Sequence, residues 1–285
     1  MNVPGDHPCF SADCRPNLGR IHLPVAPGCN IFCRFCSRGI SGHLDRPGQA
    51  FRAITPREAL GALESALRLC PEIRVAGVAG PGDPLAGPEA LETLALVRAH
   101  HPSIIGCLST NGLALYESME GLLLAGVRTV TVTVNAVDPR ILSALNGGVI
   151  LDGRTVAGTD GAEILIAAQE RGMRLASQNS LAIKANMVLV PGLNDGHVAE
   201  VARRVRDWGA NLMNVIPLIP AGGLAGIPAP SAMDVERAAR EAGRFLPVKR
   251  NCRRCRADAC GVPGLSDFSR EIYGPGWPRE TFSHG

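Results

Sequence analysis

Two rhythms of apolar and polar positions alternate along the chain. Short, nearly continuous apolar runs recur at residues 19–26, 73–79, 104–109, 128–134, 181–190 and 212–218. Runs of this length, rich in Val and Ile, read as strands buried on both faces. Between them lie longer stretches with helical periodicity, over residues 56–69, 88–100, 116–125, 160–171, 197–208 and 232–245. The first of these carries its own start signal. Thr55 is a candidate N-cap, Pro56 suits the first turn, and Glu58 completes a capping box. Six strand–helix units in succession predict a parallel sheet with helical crossovers. Six rather than eight predicts an incomplete (β/α)6 TIM-type barrel, with a doubly wound open sheet as the alternative. Residues 1–18 and 247–285 show neither rhythm and are expected to be irregular, cysteine-bearing extensions of a core domain spanning 19–246.

Composition narrows the class. A chain of 285 residues, 46% hydrophobic and 19% charged, can bury one large core. The net charge of +3 is too small to argue for nucleic acid, and aromatic residues are scarce. The first ten residues have no apolar segment of a secretory signal, and no run reaches the roughly 18 apolar residues of a membrane span. Ten cysteines in such a chain read as reduced thiols for metal work rather than disulfides, and the expected compartment is the cytoplasm.

Three of those thiols stand together as Cys29, Cys33 and Cys36, directly after the first apolar run. A C-x3-C-x2-C loop can wrap three corners of a [4Fe–4S] cluster and leave one iron open. A zinc knuckle is the competing reading, but zinc usually takes four closed ligands in paired spacings. In barrel enzymes the loops after the strands carry the chemistry, and the unusual segments fall there. They are Gly80-Pro81-Gly82-Asp83 after the second run, Ser109 to Gly112 after the third, Thr133 to Asn135 at the fourth, and Pro191 to Asp195 at the fifth. The Gly80–Asp83 segment permits close backbone approach to a ligand, though an ordinary turn has the same composition.

Other candidates are single residues. His22 alternates with the apolar Ile21, Leu23 and Val25, so it points into the barrel lumen if that apolar set faces the helices. There it is a cluster ligand, a proton relay or a satisfied core histidine. Cys107 is equally a ligand or a core thiol, and Cys70 reads as core. Cys252 and Cys255 lie in an arginine-rich run from Arg250 to Arg256. Two thiolates flanked by guanidinium groups suit an anionic iron–sulfur cluster, half a zinc ribbon, or a solvated basic tail.

The cysteine spacing, with Phe35 before the last thiol, resembles the signature of the radical S-adenosylmethionine (SAM) enzymes. That resemblance implies that the open iron binds SAM and that Gly80, Gly82, Asp83, Ser109, Asn111, Thr133 and Asn135 contact it. Longer stretches resemble the NifB-type maturases of the nitrogenase cofactor. These are HPCFS (residues 7–11), GRIHLPVAPGCN (19–30), RPG (46–48), AGPGDPL (79–85), STNGLAL (109–115), GAEILIA (161–167), VPGLND (190–195), NVIPLI (214–219) and residues 252–259. The likeness covers nearly the whole chain. It implies the SAM cluster on Cys29, Cys33 and Cys36, and two further [4Fe–4S] clusters bound as substrates. Cys9, Cys252 and Cys255 would hold one, and His22 and Cys107 would help hold the other. One SAM would donate a methyl group, a second would supply the radical, and the carbon would become the centre of a fused eight-iron precursor.

The family carries a further cysteine six residues beyond Cys36 and an acid three residues later. Gly42 and Asp45 occupy those positions here, and His43, Cys14, Cys260 or Asp45 are the candidates to replace the missing ligand. The expected partners are an iron–sulfur donor, an electron donor such as a ferredoxin or flavodoxin, and a separate carrier protein, with no nucleic acid or membrane. The rival readings are a radical SAM enzyme acting on a peptide, RNA or small molecule, and a non-catalytic iron–sulfur scaffold.

Overall fold

The computed structural model describes residues 5–10, 17–36, 47–250, 252 and 254–274. Cys14, Gly42, His43 and Asp45 lie outside the described residues. In chain order the elements begin with strands β1 (Gly19–His22) and β2 (Ile31–Cys33), helix α1 (Pro56–Leu69), strand β3 (Ile73–Val78) and helix α2 (Glu89–His100). Then come β4 (Ile105–Thr110), α3 (Met119–Leu124), β5 (Val127–Thr133), α4 (Pro139–Leu145), β6 (Asn146–Leu151) and β7 (Arg154–Val156). The long helix α5 (Gly158–Gln178) is followed by β8 (Ala182–Leu189), α6 (Val198–Asp207), β9 (Leu212–Pro217), α7 (Ala232–Ala242), β10 (Cys260–Gly261) and α8 (Ser269–Tyr273).

The main sheet has seven strands in the order β10-β1-β3-β4-β5-β8-β9. The six strands from β1 to β9 are parallel to their neighbours, and β10 joins β1 antiparallel. Each crossover therefore moves to the next position in the same direction. A doubly wound sheet reverses direction at its middle, so the topology is that of an open (β/α)6 barrel. The helices cover one face. Leu63, Leu94, Leu122, Leu165 and Val201 bury there against Ile21, Val78, Leu108, Val130, Ile183 and Met187. Each such side chain contributes about 1.5–3 kcal/mol on burial. All six parallel strands contribute to the wall of one inner cavity on the opposite face, which shows the sheet to be curled.

The start of α1 forms as expected. Glu58 N donates to Thr55 Oγ1 at 3.3 Å, and the Glu58 carboxylate accepts from Thr55 N at 2.7 Å. Cys70, at the end of that helix, is buried in the core. Residues 135–157, which lack a clear rhythm, hold α4, β6 and β7, and the two strands join β2 of the cysteine loop in a small second sheet in the order β2-β6-β7. Asp138 caps α4 ahead of Pro139, and Asp152 and Gly153 turn the β6–β7 hairpin with φ of 48° and 74°. This is the backbone that an Asp-Gly hairpin turn requires.

The C-terminal segment, expected to be irregular, closes the barrel. Val248 bridges to Met213 on the β9 edge, and Lys249 N donates to Met213 O at 2.8 Å. Eleven residues later Cys260 pairs with Ile21 on the β1 edge. The intervening chain spans the gap between the two edges of the open sheet. A buried ion pair, Arg256 Nε to Asp258 Oδ1 at 3.0 Å, pins it, and Asp258 also accepts from Phe51 N at 2.5 Å. Among the described residues, no helix is long and apolar enough to cross a membrane.

Candidate functional site

Two adjoining cavities lie along the barrel axis, and Pro47, Gly48, Ala79, Ser109 and Ile216 line both. The mouth cavity, about 290 Å3, lies at the C-terminal ends of the strands. It is lined by Cys29, Cys33, Phe35 and Cys36 together with Gly82, Asp83, Ser109, Asn111, Thr133 and Asn135. Gly80 lines neither cavity. Its backbone, at φ 139°, approaches Gly48 instead, where an added Cβ would lie 2.5 Å from the Gly48 carbonyl oxygen.

The cysteine loop is positioned from two sides. Strand β2 pairs with β6, and Arg34 N donates to Leu145 O at 2.9 Å. On the other side Gly82 N donates to Ala26 O at 2.5 Å and Asp83 N to Gly28 O at 2.7 Å. The approach is so close that a Cβ on Gly82 would fall 1.7 Å from the Gly28 oxygen. Buried Asp83 accepts from Thr110 Oγ1 at 2.9 Å, Asn111 N at 2.6 Å and Leu85 N at 2.9 Å. Burial pushes its carboxyl above the usual range against those bonds. Its lone pairs are thus committed to holding the Asn111 turn. Asn111 in turn donates to Asn30 Oδ1 at 2.7 Å and reaches Cys29 Sγ at 3.9 Å. Gln169, which its helical sequence context did not single out, lines the same cavity and donates to Asn111 O at 2.7 Å and Thr133 O at 2.9 Å. Asn135 Oδ1 accepts from Val188 N, and Asn194 of the VPGLND motif clamps the strand end through Val188 O and Asn135 O.

The inner cavity, about 260 Å3, brings together Cys9, His22, Cys107, Cys252 and Cys255. His22, Gly77 and Cys107 are register partners on β1, β3 and β4. Gly77 leaves room between the two side chains, since its Cβ would meet His22 Cδ2 at 3.3 Å and Cys107 Cβ at 3.8 Å. Cys9 comes from the N-terminal segment, and Cys252 and Cys255 from the chain that spans the open edge. Arg20, two residues before His22 on the same strand face, donates to both Cys9 Sγ and Cys255 Sγ.

The two histidines of this cavity are held in opposite tautomers. His22 Nδ1 lies 2.7 Å from Arg256 O. A carbonyl only accepts, so Nδ1 carries the proton and Nε2 keeps a lone pair, the state of a metal-ligating histidine. Cys9 N donates to His7 Nδ1 at 3.0 Å, which places the proton of the neutral His7 ring on Nε2. Burial, reinforced by Lys184, Arg20, His22 and Lys249, holds His7 well below the ordinary histidine range and hence neutral.

Three buried cations, Arg20, Lys184 and Lys249, set the electrostatics. Burial alone would raise the Cys9 thiol, but these cations together bring it below its ordinary value. Cys255 is pushed up to about 11, by burial first and by the neighbouring Cys9 and Cys252 thiolates, against the pull of Arg20. Burial likewise pushes Cys107 to about 11. Among the described residues no Asp or Glu lines this cavity. Arg20 and Lys184 carry a faint sequence signal, a charged residue inside an apolar strand run, which by itself also describes a solvent-facing position.

The residues fit an iron–sulfur cluster better than a single ion. Among the described residues no three Cys, His, Asp or Glu side chains converge closely enough to hold one metal ion. Cys29, Cys33 and Cys36 nevertheless border one cavity, as ligands to separate irons of a cluster do.

The sequence profile of the Radical SAM superfamily matches residues 23–205. A relative from Methanocaldococcus infernus, "FeMo cofactor biosynthesis protein NifB", is 39% identical over 269 residues, covering 94% of this chain and 89% of that protein. A NifB of the same description from Chlorobaculum tepidum is 41% identical over 263 residues. The match covers 91% of this chain, which spans 62% of that longer protein. The fold is also that of a radical SAM methyltransferase from Sphaerobacter thermophilus, with a TM-score of 0.60 at 21% identity, covering 82% of this chain and 66% of that one. The chain thus belongs to the radical SAM superfamily and, within it, to the NifB family.

Proposed function

We propose that this chain is a radical SAM enzyme of nitrogenase-cofactor biosynthesis that takes two [4Fe–4S] clusters as substrates and joins them around a carbon derived from SAM. The observation that carries this reading is the meeting of the two cavities. Five side chains of types able to ligate metal, from both terminal segments and from β1 and β4, border an inner chamber that shares a wall with the chamber of the three-cysteine loop.

Cys29, Cys33 and Cys36 would hold the resident cluster, with SAM against the backbone of Gly82 and the side chains of Ser109, Asn111, Thr133 and Asn135. When bound, that pair supplies the carbon and the radical chemistry that the conversion needs. The protein's own residues do the rest. Asp83 and Gln169 hold the Asn111 turn beside the cysteine loop. Arg20 holds Cys9 and Cys255 in register, and Arg256 O orients the His22 ring through Nδ1. Cys9, Cys252 and Cys255 would hold one substrate, and His22 and Cys107 would help hold the other. Arg20, Lys184 and Lys249 favour an anionic occupant in a chamber without carboxylates. An iron–sulfur donor, an electron donor such as a ferredoxin or flavodoxin, and a carrier for the product complete the system.

The test is anaerobic turnover of the reconstituted chain with SAM labelled in its methyl carbon. Label recovered in an acid-stable iron–sulfur product supports the proposal. Reductive cleavage of SAM with no label in any cluster would refute it and leave a radical SAM enzyme acting on another substrate.

A further inference from the structure

Of the three buried cations in the inner cavity, two donate hydrogen bonds to acceptors within the protein. Arg20 donates to two thiols, and Lys249 Nζ donates to Pro8 O at 3.3 Å. Lys184 differs. It is 8% exposed on β8, and its Nζ sits 5.2 Å from the centroid of the Phe10 ring. Among the described residues no carboxylate, carbonyl or thiol accepts a hydrogen bond from it.

A ring face offers an ammonium only partial compensation, and the attraction of Lys184 to the Cys9 and Cys107 thiolates comes without a hydrogen bond to either. An anion entering the cavity gives the ammonium a direct hydrogen-bonded partner. The position is also specific. Lys184 pairs with Thr131, which pairs with Ser109, one of the residues bordering both cavities. A second donor faces the same space. His7 is 2% exposed, and its Nε2 has no partner among the described residues.

We propose that Lys184 is a positioning residue for the anionic iron–sulfur substrate, supplying the counter-charge and N–H donors that hold it where the two cavities join. This rests on the reading of the inner cavity as the substrate-cluster site. The Lys184 ammonium is a compact charge on a flexible stem with three donors, which can turn to the sulfide corners of such a cluster.

The test compares Lys184→Met and Lys184→Arg with the unaltered chain. Two quantities are read: the apo-protein unfolding midpoint, and the iron kept after anaerobic loading with ferrous iron and sulfide followed by a chelator wash. Lys184→Met removes a buried ammonium that has no hydrogen-bonded acceptor, at nearly constant volume. Its apo midpoint is expected to rise by about 2 °C or more, while its inner-cavity iron is held about tenfold more weakly. Lys184→Arg is expected to restore retention to within about twofold of the unaltered chain. Opposite signs for stability and retention are the signature, since a merely structural lysine would lower both. Any other combination, including a Lys184→Met chain that does not fold or one that keeps its iron, overturns the proposal. An unaltered chain that loads only about four irons overturns the proposed function and this inference with it.

Discussion

Replacing Gly82 by alanine tests how the cysteine loop is positioned. The new Cβ would lie 1.7 Å from Gly28 O, 2.4 Å from Gly28 C and 2.9 Å from Ala26 O. Non-bonded contacts require the turn and the loop to separate by roughly 1.3 Å or more. That movement breaks the bonds from Gly82 N to Ala26 O and from Asp83 N to Gly28 O. Two backbone hydrogen bonds at a net 0.5–1.5 kcal/mol each put the cost at about 1–3 kcal/mol. The displaced residue directly precedes Cys29, so the three thiols lose their common geometry as well. Urea unfolding of the apo-protein should show the lost stability, and iron counting after reconstitution should show loss of the resident cluster. Gly28→Ala is the control, because a Cβ there meets nothing within 4 Å among the described residues. A Gly82→Ala chain with unaltered stability and full iron content would refute the reasoning.

Asp258→Asn leaves the buried Arg256 guanidinium without its carboxylate and should cost about 3–5 kcal/mol in urea unfolding; a loss below about 1 kcal/mol would show that the clasp does not hold the C-terminal segment. Gly61→Ala, at an exposed site in α1 where the Cβ meets no neighbour, should stabilise the protein by about 0.5–1 kcal/mol, read by the same unfolding curves. Hydrogen bonds from Thr55 and Arg52 hold the Glu58 carboxyl below its ordinary range. A depressed carboxylate stabilises above its unfolded pKa and loses that contribution as pH falls through its folded value. The stability difference between the unaltered chain and Glu58→Gln should therefore be full at pH 7 and shrink in acid, and a difference independent of pH would contradict the cap.

The barrel was legible because its parallel strands are apolar runs, and because helices such as α1 announce their starts with Thr55, Pro56 and Glu58. The second sheet was not, although Asp138-Pro139 and Asp152-Gly153 are recognisable start and turn signals. Its strands are short, and β6 opens with Asn146-Gly147-Gly148, which reads as loop. Cysteine spacing marked the mouth cavity, rare residue types marked His22, Cys107, Cys252 and Cys255, and the family resemblance alone added Cys9. Arg20 and Lys184 escaped notice because a charge in a strand reads as solvent-facing until the sheet curls and turns that face inward. The crossing from Lys249 at the β9 edge to Cys260 at the β1 edge is a tertiary event that no local pattern encodes.

The most direct test of the account is the iron and sulfide content of the anaerobically reconstituted chain, measured beside the variant combining Cys9→Ser, Cys252→Ser and Cys255→Ser. Three four-iron clusters in the adjoining chambers predict about twelve irons per chain, falling to about eight in the variant. About four irons in the unaltered chain, or equal iron in both proteins, would contradict it.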